Sequence, residues 1–156
     1  MKRHAVDLAV LFVLSTAVCG YLALATPAYR TEVLHAYLLV LGALFIMSSV
    51  VVLFNLVKAP PPPEGSPAAM FFAALGPTGY LTFVKIFELT GGILVAIPRP
   101  RNLGLLVLGP IILNILAFHT FVTAGHGLTN PMVLLIVALA LYLLWVGRKQ
   151  FLGLLN

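Results

Sequence analysis

The run Gly79-Tyr80-Leu81-Thr82-Phe83-Val84-Lys85-Ile86-Phe87-Glu88-Leu89-Thr90-Gly91-Gly92-Ile93-Leu94-Val95-Ala96-Ile97 holds two opposite charges in otherwise uncharged, mostly apolar sequence. Its length fits a helix that crosses a bilayer, which takes about 20 such residues. Both charges then lie near the hydrocarbon midplane, where an isolated charge costs roughly 2.5–3.5 kcal/mol or more. The i to i+3 spacing puts Lys85 and Glu88 on one helix face, within reach of each other. The run predicts a polar pair that faces protein or trapped water and not lipid. It does not define a reaction.

The whole chain supports a membrane reading. Of its 156 residues, 62% are hydrophobic and only 8% charged, with a mean hydropathy of +1.11. A soluble domain carries about 25% charged residues and could not hide this much apolar surface. The net charge of +5 does not imply nucleic acid. Outside the pair, the basic residues Lys2, Arg3, Arg30, Lys58, Arg99, Arg101, Arg148 and Lys149 are scattered at segment ends, the pattern of membrane-boundary anchors. With Cys19 as the one cysteine, no intrachain disulfide or Cys-based metal cluster is expected.

Five apolar segments are long enough to span: Leu8–Ala25, Val33–Val57, Thr78–Ile97, Leu103–Val122 and Pro131–Val146. The last two are separated by the turn-rich Gly125-His126-Gly127-Leu128-Thr129-Asn130-Pro131. Leu8–Ala25 also has the layout of a secretory signal; we read it as a retained helix. Lys58-Ala59-Pro60-Pro61-Pro62-Pro63 enforces an extended connector. Ala68–Leu75 after it reads as a short helix on the membrane surface or at the bundle mouth. The fold class is all-α, a transmembrane helix bundle. With the N-terminus outside, Arg30, Arg99, Arg101, Arg148 and Lys149 collect on the inner side, as the positive-inside rule favours. The basic N-terminus argues the other way.

Gly92 shares a face with Lys85 and Glu88, and Gly91-Gly92 lets a neighbouring helix approach closely. The pair reads either as a structural contact that fixes helix rotation or as a proton-carrying or ligand-orienting site. Asn114, near the centre of its segment, is expected to hydrogen-bond to a neighbouring helix or to Glu88. His119 reads as a quinone carbonyl donor, an axial ligand or an interfacial histidine. Pro110 should kink its helix or free a carbonyl beside Asn114. The histidines do not fall in facing mid-membrane positions, so haem is not indicated. Neither is a metal, since there is no acidic cluster and no recognised catalytic motif. Catalytic residues cannot be assigned.

The stretch from Pro60 onward resembles the DoxX-like family of small bacterial membrane proteins. The resemblance rests on Pro60-Pro61-Pro62-Pro63, Gly79-Tyr80, Val84-Lys85-Ile86-Phe87-Glu88-Leu89-Thr90-Gly91-Gly92, Pro110–His119 and Leu141–Trp145. Lys-x-x-Glu-x-x-Gly-Gly is its most specific part. The resemblance implies a four-helix core over residues 33–156, with the Pro-rich loop and surface helix at 58–76 and both core ends cytoplasmic. Residues 1–32, an additional helix and connector, depart from the pattern. It also implies a bacterial inner-membrane location and a link to membrane redox systems, with quinone as the cofactor it raises. We therefore expect an accessory subunit of a membrane electron-transfer complex, in contact with lipid and other subunits. The alternatives are a quinone-binding oxidoreductase subunit using Lys85, Glu88, Asn114 and His119, and then a small transporter.

Overall fold

The computed structural model describes residues 27–58 and 60–153, together with Val18 and Tyr21 as helical positions. The expected helix Leu8–Ala25 otherwise lies outside the described residues. What is described is helical, with no strand. The elements are α1 (Pro27–Leu53), α2 (Pro67–Leu75), α3 (Tyr80–Ala96), α4 (Arg101–Ala117), a π-helical turn (Phe118–Val122) and α5 (Pro131–Leu152).

Three stretches, Thr31–Leu53, Arg101–Val122 and Pro131–Leu152, are long and apolar enough to cross a membrane. A fourth span is counted if α2 and α3, bent by 89° at their junction, are taken as one. By itself α3 has 17 residues, about 25 Å of helix, against a hydrocarbon core of about 30 Å. The described residues are thus all-helical, with three or four helices suited by length and composition to span a membrane.

Local chemistry sets the breaks. Ser66 caps α2 by accepting from the Ala69 amide at 3.2 Å, with Pro67 at the first helical position. Asn130 caps α5 by accepting from the Met132 amide at 2.9 Å, again followed by proline. Both pairings use the N-terminus, where proline's missing N–H is not needed. The right-angle junction runs through Gly76-Pro77-Thr78-Gly79. The Thr78 hydroxyl donates to the Leu75 carbonyl at 2.7 Å and accepts from the Tyr80 amide at 3.2 Å. Gly79 has φ +77°, a left-handed conformation that glycine adopts without Cβ strain.

The core lies where four helices converge. Leu38, Leu41 and Phe45 of α1, Val95 of α3, Leu108 and Ile112 of α4, and Leu139 and Leu143 of α5 are all buried. Tyr37 and Tyr142 meet edge to face, 5.0 Å between ring centres, and join α1 to α5. α3 is sandwiched between α1 and α4, and its two glycines divide the work. A Cβ on Gly92 would lie 3.0 Å from the Gly42 carbonyl of α1, and one on Gly42 would lie 2.7 Å from the Gly92 carbonyl. A Cβ on Gly91 would lie 2.6 Å from Leu108 of α4. Opposite it, a Cβ on Gly104 would lie 2.5 Å from the Val95 amide nitrogen. The backbones approach this closely because side chains are missing, as at small-residue contacts in membranes.

The helix ends differ from the sequence expectation. α1 starts at Pro27 and takes Arg30 and Glu32 into its first turns, and α5 runs on through Arg148 and Lys149 to Leu152. Pro110 lies inside α4 without ending it. Among the described residues, Arg99, Arg101, Arg148 and Lys149 gather at one end of the bundle with Glu32. Lys58 and Glu64 belong to the other.

Candidate polar site between helices one and three

Glu88 stands at the middle residue of α3 and is buried, 4% exposed. Its Oε2 accepts from Lys85 Nζ at 2.6 Å, and the same ammonium donates to Ser48 Oγ of α1 at 3.0 Å. The lysine side chain is 20% exposed. It lies five residues into α3, about 8 Å from the helix start. The pair thus occupies the half of the bundle nearer the Pro-rich loop. Only Glu88 reaches the middle of the helix. Its carboxylate is neutralised by a neighbour that is itself tethered to a second helix. Ser49, next to Ser48, is fully buried and returns its hydroxyl to the Phe45 carbonyl of its own helix at 2.8 Å.

Lys85, Glu88 and Gly92 therefore form one stripe, which faces α1. Sequence reasoning placed those three residues on a face but missed Ser48 and Gly42. The signal was present: Gly42 is the one glycine in α1, and Ser48-Ser49 is the polar doublet in its second half.

Asn114 and His119 are elsewhere. Asn114 is exposed on α4 and makes no side-chain hydrogen bond among the described residues. The expected bond to Glu88 is not made, because α3 turns Glu88 toward α1 and a different face toward α4. Asn114 instead lines an open groove of about 370 Å³ between α3 and α4, with Tyr80, Phe83, Phe87, Val107 and Pro110. Pro110 removes the N–H that would bond to the Leu106 carbonyl, on the same groove.

His119 sits in the π-helical turn, where the Thr123 amide donates to the Phe118 carbonyl at 3.1 Å and the Gly125 amide to the His119 carbonyl at 2.8 Å. Its ring packs against Phe118, which Phe71 and Phe72 of α2 cover in turn. Its Nδ1 is buried without a hydrogen-bond partner among the described residues. A Cβ on Gly127 would overlap the ring. The groove that Asn114 lines includes none of Lys85, Glu88 and His119. Among the described residues, no three His, Cys, Asp or Glu side chains converge as a metal site.

Chemically, the arrangement can hold two helices in fixed rotation and pair a buried carboxyl group with a lysine that also reaches the neighbouring helix. No family model matches the chain. A stretch of 74 residues, 47% of the chain, is 30% identical to "Uncharacterized protein YwoB" of Bacillus subtilis (strain 168) and covers 46% of that protein. The chain thus spans about half the length of the curated relative it matches. No solved structure matches it.

Proposed function

We propose that the chain is a membrane-embedded accessory subunit of a bacterial inner-membrane redox complex, built on a four-helix DoxX-like core. The observation that carries this reading is the engagement of the Lys85–Glu88 pair, its carboxylate buried, with α1. Its ammonium is engaged by Glu88 and Ser48, and neither charged residue lines the adjoining groove. A pair arranged so serves assembly: it fixes how α1 and α3 meet. The resemblance noted in the sequence supplies the redox setting. The concentration of arginine and lysine at one end of the bundle supports a cytoplasmic placement of that end. In this reading the apolar outer faces of the helices meet lipid and the other subunits of the complex.

A quinone-binding role for the same chain is the second reading. Its support is the aromatic groove that holds Asn114, whose amide can donate to a ring carbonyl. Here Lys85 and Glu88 stand outside the groove and do not serve as its proton source.

Purification from the host's own membranes in a mild detergent tests the first reading. A redox protein that co-migrates in stoichiometric amount is the expected result, and a chain recovered free of any such protein contradicts it. Saturable binding of a short-chain quinone, abolished by Asn114→Leu, would favour the second.

A further inference from the structure

Two faces of α1 are taken by its neighbours. Gly42 meets Gly92 of α3, and Tyr37 meets Tyr142 of α5. Ala36, Leu39, Ala43 and Met47 are exposed and follow one another at a turn's spacing, so they form a third face. Two of the four are alanines, which leave room for another backbone to come close, as small residues do between membrane helices.

The way the chain enters α1 says what lies there. Leu8–Ala25 is uncharged, and only Thr26 separates it from Pro27, the first residue of α1. As a helix it is about 27 Å long, close to the thickness of the hydrocarbon layer. One connecting residue reaches less than about 4 Å, so two spans joined this way are antiparallel neighbours.

We propose that Leu8–Ala25 packs antiparallel on the third face of α1, with its small residues toward Ala36 and Ala43. Val18 and Tyr21, one turn apart, are 56% and 71% exposed and mark the side of the segment turned away. Helical periodicity puts Thr16, Gly20 and Ala23 on the side opposite to them. Thr16 and Gly20 have the small-xxx-small spacing of close helix contacts. Counting out from Thr26 in both directions brings Cys19 within a turn of the level of Ala36, and Phe12 within a turn of Ala43. This contact is separate from the Lys85–Glu88 stripe and does not rest on the redox reading.

Disulfide trapping in the full chain, reconstituted in lipid vesicles, tests the proposal. Ala36→Cys should bond to Cys19 within one chain, read by peptide mass mapping. Leu141→Cys is the control. It is 62% exposed, and its neighbour Tyr142 meets Tyr37, so it lies at the depth of Ala36 but on α5. Its intrachain yield should be lower by at least about ten-fold, because no tether raises the local thiol concentration there. In a Cys19→Ala background, Phe12→Cys should link to Ala43→Cys and not to Ala36→Cys, which lies about 10 Å away along the axis. Failure of Ala36→Cys to link, equal yields at positions 36 and 141, or linkage of Phe12→Cys to both α1 sites would overturn the proposal, as expected if lipid fills the face. So would a product at position 36 that is only of twice the chain's mass, the mark of a second copy, or a membrane-bound chain that has lost Cys19 through processing.

Discussion

Replacing Lys85 with methionine should damage the protein more than replacing both members of its pair. Lys85→Met leaves the Glu88 carboxylate in place, and that side chain is only 5% exposed, so solvent offers it little relief. An uncompensated buried charge of this kind costs about 3–5 kcal/mol. In Lys85→Met combined with Glu88→Leu, no charge is stranded. That variant loses the ion pair and the hydrogen bond to Ser48, while apolar side chains of similar volume fill the space. A partly exposed bond is worth about 1 kcal/mol, so the single variant should be less stable than the double by at least about 2 kcal/mol, some thirty-fold in the folding equilibrium. Reversible unfolding in mixed micelles, followed by helical circular dichroism, measures the difference. Equal destabilisation by the two variants, or a milder effect of the single one, would refute the idea that the lysine neutralises a buried carboxylate.

Other consequences follow from the packing. Gly104→Ala should destabilise by about 1–3 kcal/mol in the same assay, since its Cβ would press on the Val95 backbone nitrogen. Gly109→Ala meets open space and should be neutral or stabilising by up to about 1 kcal/mol. Ala124 holds a left-handed conformation with φ +50°, so Ala124→Gly should raise thermal stability by up to about 1 kcal/mol. Gly127→Ala should displace the His119 ring, detectable as increased amide exchange across residues 118–130, with the far end of the bundle unaffected.

The helical class was legible because the chain is apolar in runs of spanning length, and the short α2 was expected at Ala68–Leu75 after the proline-rich connector. The Lys85–Glu88 contact was legible from spacing alone. Its third member was not. Which serine of the Ser48-Ser49 doublet reaches α3 depends on the rotation of α1, and that is set by the tertiary contact of Gly42 with Gly92. Asn114 was misdirected toward Glu88 for a related reason. Periodicity gives a residue's position around its own helix, but not which neighbour that face meets. With α3 held between two helices, Gly92 and Gly91 serve opposite partners although they adjoin in sequence. Helix ends were misjudged where Arg30, Glu32, Arg148 and Lys149 suggested boundaries. Charged side chains mark the edge of hydrocarbon, while the backbone ladder continues past it. Nothing in Phe118-His119-Thr120-Phe121-Val122 announces a π-helical turn, which depends on how the chain must reverse toward Gly125.

The most direct measurement of the central claim is a nitrogen-to-carbon dipolar distance between the Lys85 side-chain nitrogen and the Glu88 carboxyl carbon, made by solid-state NMR on the full chain in lipid bilayers. A direct ion pair gives a strong coupling that reports a separation under about 4 Å, lost selectively in Lys85→Met. Absence of coupling in the unaltered protein, with both side chains ordered, would contradict it.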